Sequence, residues 1–359
     1  MWAICDNREA DPITAATLTP PPATSRNAAH SLPVEIWHAI FTQACDPRGK
    51  DAAAISQVSR FLYQAIAPYR LESLVIYGES QIMAFYKAMK VMPQHVPRAK
   101  HLCIGFIPDS AVTDCRTVCN AVIDGWIQHR EETRAQCNER IRQNSTLSTF
   151  GFRSLEYTNF QRDVVGGIIS EHSKTLQTLT YLSAVGHIKF QVFGHLPSLR
   201  NLTVVCLRYN STFYGVYDNI RVPRRTQFPL LERLHLSSFD TKSLFRHDEF
   251  CRSAPGLTHL RLSGRQCYPQ LEKLPSHTNL LIQMILVSTE ERQMLVQYMR
   301  RILSDKRYNQ RITLLDPGYG EYGRYGFFDA LLDWLDVSSG GNAFWGVTSQ
   351  VTIHELATW

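Results

Sequence analysis

The chain has 359 residues, of which 44% are hydrophobic, 11% aromatic and 19% charged. These are ordinary globular fractions, and they exclude wholesale disorder and the collagen-like and mucin-like classes. Lys plus Arg number 38 against 32 for Asp plus Glu, a net charge of +6, an excess that permits an acidic partner without arguing for one.

Length alone predicts about two domains at ~150 residues each, and leaves room for a sizeable core. The nine cysteines are irregularly spaced and odd in number. They read as reduced thiols, which places the protein in the cytoplasm, the nucleus or both. Residues 1–9 lack the basic and apolar regions of a secretory signal, so the sequons at Asn144, Asn201 and Asn210 read as chance. The richest apolar stretch, Asn279 to Ser288, is strand-like and far shorter than the ~20 residues of a membrane span. No membrane partner is expected.

In chain order, residues 1–29 form a polar leader. Its Thr-Pro-Pro-Pro run (residues 19–22) suits neither a helix nor a central strand. A helix begins at Ser31, which can cap it, with Pro33 in the first turn, where a missing N–H costs nothing, and Glu35 close behind. Ile36, Ile40 and Phe41 give that helix an apolar face, with Trp37 beside it. Asp46 to Lys50 breaks the helix. A second runs from about Asp51 to Pro68, with Ile55, Val58, Leu62 and Ile66 on one face.

From Leu71 a pattern recurs: apolar, two of any kind, apolar, one of any kind, apolar. It takes in Leu71, Leu74 and Ile76; Ala99, Leu102 and Ile104; Leu147, Phe150 and Phe152; and Leu176, Leu179 and Tyr181. Leu199, Leu202 and Val204; Leu231, Leu234 and Leu236; Leu257, Leu260 and Leu262; and Leu281, Met284 and Leu286 continue it. The later copies start roughly 23 to 32 residues apart, close to the ~20–29 of leucine-rich repeats. Each unit is a short strand whose apolar flank only its neighbour can cover. Amphipathic segments lie between copies, at Ile82, Phe85, Met89 and Met92, and at Val118, Val122 and Trp126. A later helix carries Met294, Leu295, Tyr298, Met299 and Ile302, with Ser288 and Glu291 in a capping-box pattern.

Motifs for chemistry are weak. Gly318, Gly320 and Gly323 spell G-x-G-x-x-G after the apolar Ile312 to Asp316 and before a helical stretch at residues 327–335. No βαβ unit with an acidic residue follows, so a nucleotide site is disfavoured against a loop packed on an array end. Cys115 and Cys119 share a helix face without a second ligand pair. His354 and Glu355 lack the second His of a zinc-protease helix, and no G-x-S-x-G elbow is present. No catalytic residue, cofactor or metal is expected. The insertion Leu207 to Phe228 is richer. It carries Arg208, Tyr209, Phe213, Tyr214, Tyr217, Arg221, Arg224 and Arg225. Tyr and Arg are enriched in binding hot spots, so these residues are candidates for holding a target protein. Nucleic acid is a lesser alternative, and a solvated loop packing back on the array is the bland one.

Leu32 to Phe41 reads Leu-Pro-Val-Glu-Ile-Trp-His-Ala-Ile-Phe, and Ile55 to Tyr69 contains Val58-Ser59-Arg60. Together these stretches resemble an F-box, and the run into Leu-rich strands looks like many fungal F-box proteins. Phe61 stands one position before the aromatic often seen there. The resemblance implies a small helical module that docks the Skp adaptor of a Skp–cullin–F-box ubiquitin ligase. The implied adaptor-binding set is Leu32, Pro33, Ile36, Trp37, Ile40, Phe41, Val58, Ser59, Arg60 and Phe61. Leu32, Pro33 and Ile36 are the foremost of these, and Val58 is expected to fix the helices together.

The expected fold is thus of the α+β or α/β class, a short helical F-box followed by an irregular leucine-rich-repeat-like solenoid of short parallel strands and helices. The expected division is a leader (1–29), the helical module (30–70), the array (71–316) and a capping segment (317–359). The expected role is a non-catalytic substrate adaptor that holds an unknown target beside the ligase. The alternatives are an interaction scaffold outside a ligase and, distantly, an enzyme using the Gly318 loop.

Overall fold

The computed structural model describes residues 33, 36–37, 39–41, 50–66, 69, 71–92, 98–106, 160–183, 193–206, 227–237, 253–264, 277–284, 289–305, 311–315 and 327–338. The leader, the insertion at Leu207 to Thr226, the Gly318 loop, the Leu147 copy, the Val118 segment, Cys115, Cys119 and His354 lie outside these residues. The chain divides into two compact units. One is Met1–Leu74 with Gln94–Pro97, and the other is Val75–Pro93 with Arg98–Trp359.

In the first unit, the Pro33 carbonyl accepts from the N–H groups of Ile36 and Trp37 at 3.1 and 3.3 Å, opening the first helix where the proline predicts. Two short helices follow, α1 (Lys50–Ser56) and α2 (Arg60–Ala65). The single helix expected from Asp51 to Pro68 is therefore broken. Ser59 is extended (φ −158°, ψ 160°), and its hydroxyl caps α2 by accepting from the Leu62 N–H at 3.2 Å. A capping serine competes with the continuing helix for that donor. The core of this unit is Phe41, Ala52 and Ile66, with Trp37, Ile55, Leu62, Ala65 and Tyr69 packed on it.

The second unit is built on an eight-stranded sheet whose spatial order follows the chain, β1 to β8. The strands are β1 (Ser73–Tyr77), β2 (His101–Phe106), β3 (Thr178–Ser183), β4 (Asn201–Cys206), β5 (Arg233–Ser237), β6 (His259–Gly264), β7 (Asn279–Met284) and β8 (Ile312–Leu315). The division between the units falls within β1. Every pair from β2 to β8 is parallel. Gly78 leaves β1 at φ +84°, a conformation that favours glycine, and its N–H donates to the Gly105 carbonyl at 2.9 Å. Between strands lie α3 (Glu79–Val91), a π-helical turn (Gln161–Val165), α4 (Gly166–His172) and α5 (Thr289–Leu303). A last helix, α6 (Phe327–Ser338), follows β8.

Alternation within strands separates two faces. Leu102, Leu179, Leu202, Leu234, Leu260, Leu280 and Ile312 stand in one row; Ile104, Tyr181, Val204, Leu236, Leu262, Ile282 and Leu314 stand in the next. The members of these rows on β2 to β7 are all buried. Two expectations are corrected here. The last copy was framed on Leu281, Met284 and Leu286, but the ladder pairs Leu260 with Leu280 and Leu262 with Ile282, four residues earlier than Met284 and Leu286. The leading position of the true frame, three residues before Leu280, is His277 and not an apolar residue, so the spacing pattern skips it and pairing with β6 fixes the frame. The array also has a further strand, β8, where the sequence suggested only an apolar stretch.

The strand entries share a backbone device. The Leu199, Leu231 and Leu257 N–H groups donate to the carbonyls of Leu196, Phe228 and Ala254 at 3.2–3.3 Å. Pro197, Pro229 and Pro255 follow those acceptors, where a preset φ favours the turn. One carbonyl per entry then accepts two N–H groups from the next strand's entry. Lys100 receives Gln177 and Thr178, Gln177 receives Arg200 and Asn201, Arg200 receives Glu232 and Arg233, and Glu232 receives Thr258 and His259, all at 2.7–3.0 Å.

The β2–β3 entries are joined by His172 as well. Its Nδ1 accepts from the Ala99 N–H at 2.9 Å, while Thr175 Oγ1 donates to the Ala99 carbonyl at 2.9 Å. Burial, helped by the positive charge of Arg98, pushes the His172 imidazole down to about 4, which keeps the accepting nitrogen unprotonated.

The expected pH response follows from that shift. Above pH 6.5 the ring is neutral folded and unfolded. Below it the unfolded chain takes up a proton that the folded one refuses until about pH 4. Stability is thus lost as pH falls through that window. Between pH 7 and 5 the loss from this ring is about 2 kcal/mol. His172→Asn, which keeps an acceptor for Ala99, is expected to flatten the window in urea unfolding measured at pH 7, 6 and 5. An unchanged slope would remove His172 as its source. At the α3–α4 contact, a Cβ on Gly167 would stand 2.6 Å from Tyr86 Cε2. Gly167→Ala is expected to destabilise by ~1–3 kcal/mol in the same assay.

Candidate functional site

The helical residues of the first unit carry two different surfaces. Trp37 stacks on Phe41 at 5.3 Å between ring centroids, and Phe61 meets Trp37 edge-on at 5.6 Å. Tyr69 meets Phe41 edge-on at 5.9 Å. Phe41 is buried, and Trp37 and Phe61 are half-buried. Of these three expected adaptor-binding residues, Phe41 lies at the centre of the unit's own core, and Trp37 and Phe61 pack around it. The reason is volume: so short a segment needs its largest rings to close its core.

The β-branched residues go the other way. Ile36 is 47% exposed, Ile40 40% and Val58 72%. Ile36 and Ile40 lie one helical turn apart and therefore share a face. Val58 was expected to tie the helices together. It instead stands outside, in the turn between α1 and α2, because the cap at Ser59 ends the helical periodicity that would have carried it inward. Pro33, Ser59 and Arg60 are exposed, and Leu32 lies outside the described residues. The first unit thus presents an apolar outer helix face and an apolar turn, a surface suited to a protein partner.

All the target-binding candidates, Arg208, Tyr209, Tyr214, Tyr217, Arg221, Arg224 and Arg225, lie outside the described residues. A different surface emerges in the second unit. The sheet's other face carries Cys103, Thr180, Thr203, His235, Arg261 and Leu281 in one register row. His235 Nε2 and Ser263 Oγ hydrogen-bond across β5 and β6 at 2.9 Å. The helix α6 lies against β2, β3 and β4. Asp333, Trp334 and Val337 from α6 line a small cleft with Thr178, Thr180, Asn201, Thr203, His235 and Arg261. Thr180, His235, Arg261, Asp333 and Trp334 are all buried. Sequence reading missed this arrangement. It placed a helix at residues 327–335, but helical periodicity does not say which surface a helix covers.

Among the described residues no cluster of three or more His, Cys, Asp or Glu side chains is placed to hold a metal, and no helix is long and apolar enough to cross a membrane. Comparison of the chain with protein-family models, curated proteins and solved structures returns no match.

Two substitutions separate the surfaces. Phe41→Ala is expected to cost ~3–5 kcal/mol, as a large ring leaving a closed core does, and Ser59→Ala ~1 kcal/mol through the lost cap. Ile36→Ser is expected to stay within ~0.5 kcal/mol of wild type. Thermal unfolding of the three variants ranks them; a large loss in Ile36→Ser would place that side chain in the core.

Proposed function

We propose that this chain is the substrate-recognition adaptor of a Skp–cullin–F-box ubiquitin ligase. The first unit is an F-box that docks a Skp-family adaptor, and the strand array is leucine-rich-repeat-like and binds the target. The chain itself performs no covalent step. It raises the effective concentration of target lysines beside the ubiquitin-carrying enzyme.

The observation that carries this reading is the outward Ile36 and Ile40 on a helix whose inner side, Trp37 and Phe41, is packed. Ile36 closes the Leu-Pro-x-Glu-Ile opening that resembles the F-box, and Ile40 stands one turn after it. Ile36 and Ile40 are 47% and 40% exposed, so covering what remains of each by a partner gains on the order of 1 kcal/mol. The regular parallel array supports the second half, because side chains in register along a sheet offer an extended surface for a target.

The test is capture of the full chain by a purified Skp-family adaptor. Wild type is expected to bind. Ile36→Glu with Ile40→Glu is expected to weaken capture by roughly tenfold or more, with thermal unfolding unchanged because neither residue is buried. Absence of wild-type capture, or equal capture by the double variant, defeats the proposal. Accumulation of the target on removal of the chain separates the ligase role from a scaffold.

A further inference from the structure

The sheet face that meets α6 changes character along the strands. Leu182 and Val205 pair in register on it, and both are buried. The helix lies against β2, β3 and β4 and brings the buried Leu331, Trp334 and Leu335. Apolar burial therefore secures this packing without any further group. Toward the strand entries the same face is polar. Thr180, Thr203 and Arg261 belong to one register row there, and Asn201 stands two residues before Thr203. These four line the cleft together with Asp333 and Trp334 of α6.

One group in the cleft wall is unserved. Trp334 is 1% exposed, and its indole N–H makes no hydrogen bond among the described residues. An indole nitrogen only donates, so no tautomer or ring flip lets it act as an acceptor. A tryptophan buried this deeply ordinarily finds an acceptor, because a dry, unpaired N–H costs free energy. The cleft that Trp334 lines has room for one water-sized occupant, and its walls are polar on both the helix and the sheet side. Those are the two conditions for a bound single-atom ligand.

The charges around the cleft are compatible with an ion as well as a neutral molecule. Asp333 puts a carboxylate in the wall, and the buried Arg261 puts a guanidinium there. Arg233 stands on the same face of β5, two residues before His235, which is Arg261's register partner. No described strand residue of this face from β2 to β8 is Asp or Glu.

We propose that the cleft binds one single-atom hydrogen-bond acceptor, a halide ion or a water molecule, which accepts from the Trp334 N–H on the helix side and from Thr180, Thr203 or Arg261 on the sheet side. The ligand ties α6 to the polar end of the face, where packing alone leaves the indole without an acceptor. The inference stands on α6 and the sheet, so loss of Skp capture through Ile36 and Ile40 does not touch it.

The experiment records the tryptophan indole N–H signals of the isotope-labelled full chain by NMR while chloride replaces gluconate at constant ionic strength. Trp334→Phe keeps an aromatic ring, deletes the donor and identifies the Trp334 signal. With a halide as ligand, that signal is expected to move saturably. The melting temperature is then expected to rise with chloride, with a half-saturation roughly tenfold weaker in Trp334→Phe. With water as ligand, the signal is expected to ignore chloride and to cross-relax with a slowly exchanging water molecule. Should Trp334→Phe fail to fold, Thr203→Val takes its place, removing a wall hydroxyl at nearly constant volume and shifting the same signal. A Trp334 signal that neither answers chloride nor cross-relaxes with water overturns the proposal. So does a chloride effect on melting that is equally strong in wild type and Trp334→Phe, since the ion then binds elsewhere.

Discussion

The second unit depends on one backbone arrangement, the carbonyl at each strand entry from β2 to β5 that accepts two N–H groups from the next. It fixes where each strand starts relative to its neighbour, and so which side chains line up across the sheet. From Lys100 to Glu232 the same geometry recurs at four junctions, and the leucine rows follow from it. A shift of one residue at any junction would turn every later side chain to the opposite face. The prolines at 197, 229 and 255 set the turn ahead of the entry, and Thr258 and Thr278 add side-chain hydrogen bonds to the carbonyls of Glu232 and Leu257. The apolar rows supply most of the favourable free energy, but the entry carbonyls determine which residues belong to those rows.

Because register is set locally, much of the array was legible in the sequence. The spacing of Leu176, Leu179 and Tyr181, repeated through Leu257, Leu260 and Leu262, names the buried positions of β3 to β6. It failed at β7 and β8, where the residues three positions before Leu280 and Ile312 are His277 and Asn309 and not the leading apolar residue. The Leu-Pro-Ser-Leu and Phe-Pro-Leu-Leu turns were visible too, and aligning the prolines would have strengthened the frame.

The first unit was legible in its helices and less so in its packing. Helical spacing placed Val58 with Ile55 and Leu62, but Ser59 between them is a strong cap. The cap resets the helix and turns Val58 into solvent. Equally, Ile36, Trp37, Ile40 and Phe41 are one apolar group by composition. Only packing shows that the rings close the core and the isoleucines do not. What a helix rests on is harder still to read. The apolar residues of α6 announce a buried helix, yet nothing in them announces which face of the sheet is its bed.

The strict succession of strands has a consequence for the chain's history. Each strand touches only those before and after it, and the strand separation stays near ~4.8 Å however long the connection is. Residues 107–160 intervene between β2 and the π-helical turn, while a much shorter stretch joins β3 to β4, yet both pairs lie in the same register. Lengthening a connection costs only a logarithm of its length in closure entropy. Segments can therefore be gained or lost between strands with the sheet left intact, so that the connections are free to diverge while the ladder is held constant.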